Sequence, residues 1–420
     1  MNTLLIILIS FVLIEFIFEK ILDTLNDKNW SKPIPPELAD IYTTEEYEKS
    51  KAYSLAKKKI AIISESLSLL IILFLLAFKG FAFIDTIASN ISSNPIAIGL
   101  IFFGILYFCS EIFGIPFDIY NTFVIEEKFG FNKMTYKTYI IDKLKSYALT
   151  IIFGGGIISL LILIYSHLGD FFWVLGWILM ASISIFVAMF YTSLIVPLFN
   201  KLKPLDEGDL KHQINQFSEK VGFPLTNIFI IDGSKRSTKA NAYFSGLGSK
   251  KTIVLYDTLL NDHSNDELLG ILAHEIGHYK LKHIQKSLII GLIQMGILFF
   301  LLGEILKSES IATALGTNSP SFHIGIIAFS ILYSPISNIL GILMNMLSRK
   351  NEFEADNFAK ENFGADPLIK ALKKLSKNNL SNLNPHPAYV FVHFSHPPLK
   401  ERFRNLLLQK NRFVDKKTNI

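Results

Sequence analysis

Ser264-Asn265-Asp266-Glu267-Leu268-Leu269-Gly270-Ile271-Leu272-Ala273-His274-Glu275-Ile276-Gly277-His278 is the stretch on which the reading of the whole chain turns. It opens as a capping box: the Ser264 hydroxyl can accept the Glu267 N–H while the Glu267 carboxylate accepts the Ser264 N–H. Leu268, Leu269, Ile271 and Leu272 follow on helical spacing, so a helix starts here. Four residues apart on one helix face, His274 and His278 can bind a single zinc ion through imidazole nitrogens, with Glu275 placed beside it. That pattern is the ligand pair and general base of metal-assisted hydrolysis.

A catalytic zinc needs a third protein ligand and one open position. Glu352-Phe353-Glu354-Ala355-Asp356 supplies a carboxylate from a later helix. Helical spacing puts Glu352 and Asp356 on one face and turns Glu354 away. Glu352 is therefore the expected ligand, and Asp356 the acceptor for the outer nitrogen of a ligand histidine. His283, five residues beyond His278, is placed off the metal face by its spacing and is not an expected ligand. N-terminal to the motif, Asn227–Ile231 and Thr252–Tyr256 read as short strands rich in β-branched residues, with Asn241-Ala242-Tyr243-Phe244 as a third. A small mixed sheet is expected to lead into the motif helix. Its edge strand at Asn241 can hold an extended peptide by main-chain pairing, with the Asn241 side chain adding a hydrogen bond.

The remainder is apolar. Of 420 residues, 50% are hydrophobic and only 18% charged, which points to a membrane protein. About seven segments have the ~18 apolar residues of a spanning helix: 2–19, 60–83, 96–116, 148–167, 171–196, 286–306 and 323–346. Segment 2–19 has no basic leader or small-residue cleavage site and carries Glu15, so it reads as a retained helix rather than a signal peptide. Basic residues sort cleanly between alternate loops. Lys20, Lys28, Lys32 and Lys57-Lys58-Lys59 lie in one loop, and Lys128, Lys133, Lys137, Lys143 and Lys145 in the next but one; Lys79 and Lys307 are the main exceptions. The positive-inside rule then sets the N terminus outside and both large non-membrane pieces in the cytoplasm. The expected organisation is 1–196, a membrane region with five helices; 197–285, the first part of the catalytic unit; 286–346, two further spans; and 347–420, the second part with the third ligand.

The formal charge of +5 is spread over segments that flank the apolar runs, and no nucleic-acid motif is present. Cys109 is the single cysteine, which excludes an intrachain disulfide and a thiolate metal cluster. A transporter would show paired, interrupted helices in two similar halves, and none is found. A catalytically dead scaffold is disfavoured by intact His274, Glu275, His278 and Glu352.

The chain resembles the type I CAAX prenyl endopeptidases, integral-membrane zinc metallopeptidases related to the HtpX-like quality-control proteases. The resemblance is carried by Phe123-Val124-Ile125-Glu126-Glu127-Lys128-Phe129-Gly130-Phe131-Asn132, Pro197-Leu198-Phe199-Asn200-Lys201, Asp232-Gly233-Ser234-Lys235-Arg236-Ser237, Asn241-Ala242-Tyr243-Phe244, the motif helix, Glu352-x-x-x-Asp356 and Ser395-His396-Pro397-Pro398-Leu399-x-Glu401-Arg402. Tyr279 departs from the family's frequent tryptophan but keeps the ring. The resemblance implies a mainly α, polytopic fold of about seven helices enclosing a water-filled chamber, with a cytoplasmic zincin-like unit. A chamber would accommodate Glu15, Glu65 and Glu111, which otherwise lie in apolar surroundings. It also implies one zinc ion per chain on His274, His278 and Glu352, Glu275 as general base, His396 as donor to the developing oxyanion, and Arg402 as a support of the same site. The implied substrate is a prenylated C-terminal CAAX peptide, or a membrane protein in a quality-control role. The expected location is a bacterial inner membrane, or the ER membrane in a eukaryotic host; Lys416 and Lys417 stand one place too far from the end for a dilysine retrieval signal.

Overall fold

A computed structural model describes residues 2–30, 32–223, 227–246 and 252–408 of the chain; Lys416 and Lys417 lie outside them. Among the described residues five helical stretches are long and apolar enough to cross a membrane: Thr44–Ala77, Pro95–Phe129, Tyr136–Phe199, His283–Leu306 and Phe322–Asn362. They correspond to six of the seven expected segments, because Tyr136–Phe199 holds two. Gly169, with φ 46°, and a single 3-10 turn over Gly169–Phe171 reverse the chain between the helices Gly155–Leu168 and Phe172–Phe190. The remaining segment is the helix Thr3–Asn29, whose apolar run is interrupted by Glu15, Glu19 and Lys20.

Two boundaries differ from the sequence expectation, and the reasons are local. Apolar run 60–83 is broken at Lys79, which adopts φ 54°, and a separate helix Gly80–Ile91 packs back across Leu8, Leu76 and Phe102. Gly80 is required there, since a Cβ would stand 2.4 Å from a Leu75 methyl. Elsewhere the helices outrun their apolar segments: Phe322–Asn362 continues for 41 residues, about 60 Å, so that its polar last turns extend beyond the apolar stretch and carry Glu352.

The non-membrane part is organised around a four-stranded sheet, β1 (Leu202–Pro204), β2 (Ile228–Ile231), β3 (Ala242–Ser245) and β4 (Thr252–Tyr256), in the order β1-β2-β4-β3. β2 and β4 are parallel, and the other two pairs antiparallel, so the sheet is mixed as expected; β1 is an addition. Ile253 and Leu255 of β4 are fully buried, and they pack with Phe223, Ile228, Leu268, Leu272 and Ile276 into one core under the motif helix Asn265–Lys280. β3 is left at the sheet edge, pairing only with β4 among the described strands, in the register Ala242↔Leu255 and Phe244↔Ile253.

Two glycines on the motif helix set how closely its neighbours approach. A Cβ on Gly270 would meet the Leu368 amide nitrogen at 2.8 Å, and one on Gly277 would meet the Ala355 Cα and carbonyl oxygen at 3.2 Å. The first lets helix Ala365–Asn378 lie against the motif helix; the second does the same for the long helix Phe322–Asn362. Close backbone approach at Gly277 is what brings Glu352 within reach of the two histidines.

Candidate metal centre

The motif helix begins with the expected capping box: Glu267 N–H donates to Ser264 Oγ at 3.3 Å, and Ser264 N–H to Glu267 Oε2 at 2.9 Å. Ten residues on, His274 and His278 point from one face towards the long helix. Their Nε2 atoms are 3.1 Å apart, and Glu352 Oε1 lies 3.2 Å from that of His278. Glu352 Oε2 lies 3.4 Å from that of His274. One donor atom from each of the three residues falls within 4.8 Å of the others.

This donor set fits a cation. His274 Nδ1 lies 2.9 Å from Asp356 Oδ1, which fixes a proton on that nitrogen and turns Nε2 inward as the nitrogen a metal would take. Glu352 is 4% exposed, yet its Oε2 has no hydrogen-bond partner among the described residues. Two imidazole nitrogens and a buried carboxylate aimed at one point form a donor set that a cation completes.

Arg402 and Asp356 close the far side. The guanidinium is bidentate to the carboxylate, Nε to Oδ2 at 2.9 Å and Nη2 to Oδ1 at 2.5 Å, and its Nη1 stands 3.4 Å from Glu352 Oε2. Asp356 is completely buried and Arg402 7% exposed. Burial works against the Arg402 charge, but its hydrogen bonds to Asp356 outweigh this and raise its pKa. Burial likewise opposes a proton on His274, and the carboxylates of Asp356 and Glu352 override it, raising the pKa to about 9.

His396 enters from a different element. It sits in the loop between the helices Pro387–His393 and Leu399–Leu407, with Nε2 3.3 Å from Glu352 Oε1 and its side chain 65% exposed. Arg349 holds that loop by donating to the Val390, Phe391 and Phe394 carbonyls. Glu275 is half-buried and, with His396, lines a cavity of about 440 Å³ over the histidines. Asn241 to Phe244 form one wall of this cavity; Asn241 Oδ1 accepts from its neighbour's N–H, Ala242, at 2.9 Å. An apolar part of the lining is built from Leu259, Ile271, Leu368, Leu372 and Leu375.

All eight residues singled out from the sequence meet at this one place: His274, Glu275, His278, Glu352, Asp356, His396 and Arg402 around the histidine pair, and Asn241 on the cavity wall. Sequence reading gave no role to the apolar wall, to Arg349, or to His283, which touches His278, and Glu354, which touches His283. For His283 the proximity to the motif was a signal, and the assumption of one continuous helix hid it.

Residues 25–201 match the family model of the CAAX prenyl protease N-terminal region with five membrane helices, and residues 204–409 match that of peptidase family M48. The chain is similar to CAAX prenyl protease 1 homolog of Oryza sativa subsp. japonica, 36% identical with 95% of this chain and 96% of that one covered. It is also similar to CAAX prenyl protease 1 of Saccharomyces cerevisiae, 34% identical over 95% and 94%, and to the Homo sapiens homolog, 33% identical over 90% and 89%. Among solved structures it resembles the crystal structure of S. mikatae Ste24p, with a TM-score of 0.90 and 36% identity over 97% of this chain and 99% of that one.

Proposed function

The chain belongs to peptidase family M48 as a multi-pass membrane metalloendopeptidase of the CAAX prenyl protease type, and from that premise we propose that it holds one zinc ion on His274, His278 and Glu352 to cleave prenylated C-terminal CAAX peptides. The observation that carries the metal assignment is the buried Glu352 carboxylate set against both histidines, Oε2 3.4 Å from the His274 nitrogen and Oε1 3.2 Å from the His278 nitrogen. Two nitrogens and a carboxylate are the donor set of a catalytic zinc, which leaves a fourth position open.

Held by His274, His278 and Glu352, a zinc ion would supply Lewis-acid polarisation of the scissile carbonyl and would lower the pKa of a water towards ~7. Glu275, on the cavity side of the same helix, takes the proton of the attacking water and returns it to the leaving amine. His396 donates to the carbonyl oxygen as it becomes an oxyanion, a role suited to an exposed ring within 3.3 Å of Glu352. Asp356 and Arg402 act through His274, holding its ring and its proton in the ligating form. β3 pairs with the substrate main chain at the sheet edge, and Asn241 offers a side-chain amide at the start of that edge.

The lysine-rich loops support an orientation with the catalytic unit on the cytoplasmic side and the N terminus outside, as seven spans around a chamber would require. Our first expectation for the membrane is a bacterial inner membrane, with the ER as its counterpart in a eukaryotic host. The same orientation holds in both.

The test is hydrolysis by detergent-purified protein of a farnesylated CAAX peptide and of an unfolded membrane protein, beside the Glu275→Gln variant and a chelated sample. Cleavage of the CAAX peptide by wild type alone supports the proposal. Preference for the unfolded protein would assign a quality-control role instead, and equal inactivity of all samples with zinc bound would overturn both.

A further inference from the structure

His274 is supported directly by a buried carboxylate; the corresponding support for His278 is a second histidine. His278 Nδ1 lies 3.1 Å from His283 Nδ1, and His283 Nε2 lies 3.0 Å from Glu354 Oε2. The rings of His278 and His283 meet nearly edge-on, with centroids 5.2 Å apart and planes at 74°. His283 is 3% exposed, whereas the Glu354 carboxylate reaches solvent at 37% and has Lys350 at 3.8 Å on its other oxygen.

We propose that His283 and Glu354 form a relay that selects and orients the metal-ligating tautomer of His278. The inference rests on the zinc reading above. Two neutral imidazoles joined through their Nδ1 atoms share one proton at that contact. If it belonged to His283, the His278 proton would sit on Nε2, pointing at Glu352 and His274 and excluding a cation. If it belongs to His278, Nε2 keeps its lone pair for the metal, and the proton of His283 moves to Nε2, where Glu354 accepts it. The carboxylate at 3.0 Å favours the second arrangement, because it gains a donor only in that case.

The long helix thereby serves both ligand histidines. Asp356 touches His274 directly from a fully buried position, and Glu354, on the other face, reaches His278 through one intervening ring. His283 can do this because Lys282 takes the left-handed conformation, φ 59°, and ends one helix before the next begins. The chain turns there, and His283 comes to lie against His278. Both are positioning residues rather than catalytic ones, since neither lines the cavity.

Zinc affinity, measured by competition with a chelator of known affinity, tests the relay without using turnover. His283→Leu removes the acceptor and should weaken zinc binding about 10- to 100-fold, the range for lost outer partners of a ligand histidine. Glu354→Ala, at a half-exposed position that leaves the core intact, should weaken it about threefold to tenfold. His283→Asn keeps an acceptor oxygen near the Nδ1 position and should retain most of the affinity. In the variants kcat should fall more than KM rises. Zinc affinities of His283→Leu and Glu354→Ala within twofold of wild type would overturn the proposal, as would equal losses in the Leu and Asn variants. Should His283→Leu fail to fold, Glu354→Ala decides alone. A wild type that binds no zinc would instead sink the metal-centre reading itself.

Discussion

Arg402 grips Asp356 with two parallel hydrogen bonds, 2.9 and 2.5 Å long, in a place where both side chains are buried, and Asp356 in turn holds the outer nitrogen of His274. The ion pair joins the last described helix to the long membrane helix. It is also the link through which the SHPPL loop and Glu352 are fixed relative to each other.

Replacing Arg402 by lysine keeps the charge but not the fork, so one of the two bonds is lost and Asp356 is left under-satisfied. We expect zinc affinity to fall about 10- to 100-fold, with kcat falling in step. Arg402→Met strands a buried carboxylate and should cost about 3–5 kcal/mol of stability. Chelator competition and thermal unfolding of the two variants check this; a lysine variant with unchanged affinity would show that charge alone suffices.

Gly277→Ala would ordinarily stabilise a helix by up to about 1 kcal/mol. Here the new methyl stands 3.2 Å from backbone atoms of Ala355 and 3.1 Å from the Phe358 Cβ, and it must push the long helix outward. The expected net effect is a loss of about 1–3 kcal/mol together with weaker zinc binding, because Glu352 moves with that helix. Gain of stability with undiminished zinc binding would contradict the close approach.

Ser264→Ala provides the contrast. Loss of the cap should lower stability by about 1 kcal/mol and leave zinc affinity within twofold, since the cap lies almost three turns from His274. Differential scanning fluorimetry alongside zinc titration separates the two effects.

His274 in the metal-free protein keeps its proton to about pH 9, because Asp356 and Glu352 outweigh the effect of burial. Its folded pKa is above the ordinary value near 6.5, so the stability it lends the metal-free form is full below that pH and is lost as pH rises through 9. Zinc has to displace that proton. Affinity should therefore decline as pH falls below about 9, with a proton released on binding at pH 7. Calorimetry in buffers of different ionisation enthalpy counts the proton, and a count of zero would oppose this view.

The proposed zinc ligands and their nearest support were legible because they depend on spacing within regular helices. His274 and His278, or Glu352 and Asp356, need only a period of 3.6 to be placed. Arg402 and His396 came from resemblance, since a loop before Pro397 and Pro398 has no period to extrapolate. His283 was set aside for a physical reason: five residues past His278 is off the face of a continuous helix, but Lys282 interrupts that helix. The break at Lys79 escaped reading in the same way, a lysine with positive φ inside an apolar run. β1 was missed because three residues ending in Pro204 give no alternation to detect. Apolarity marked where helices meet lipid and not where they end, so the polar extensions of Thr44–Ala77 and Phe322–Asn362 went unseen.

The length of that last helix ties chemistry to membrane thickness. From Pro335, near the middle of its apolar portion, to Glu352 is about 25 Å of rigid rod. Bilayers of different thickness are met by changes in helix tilt, and a tilt of 5° swings the far end of such a rod by about 2 Å. The metal ligand is thus the pointer of a gauge whose pivot lies in lipid, and peptidase turnover should carry the signature of the host bilayer even for substrates that never touch it.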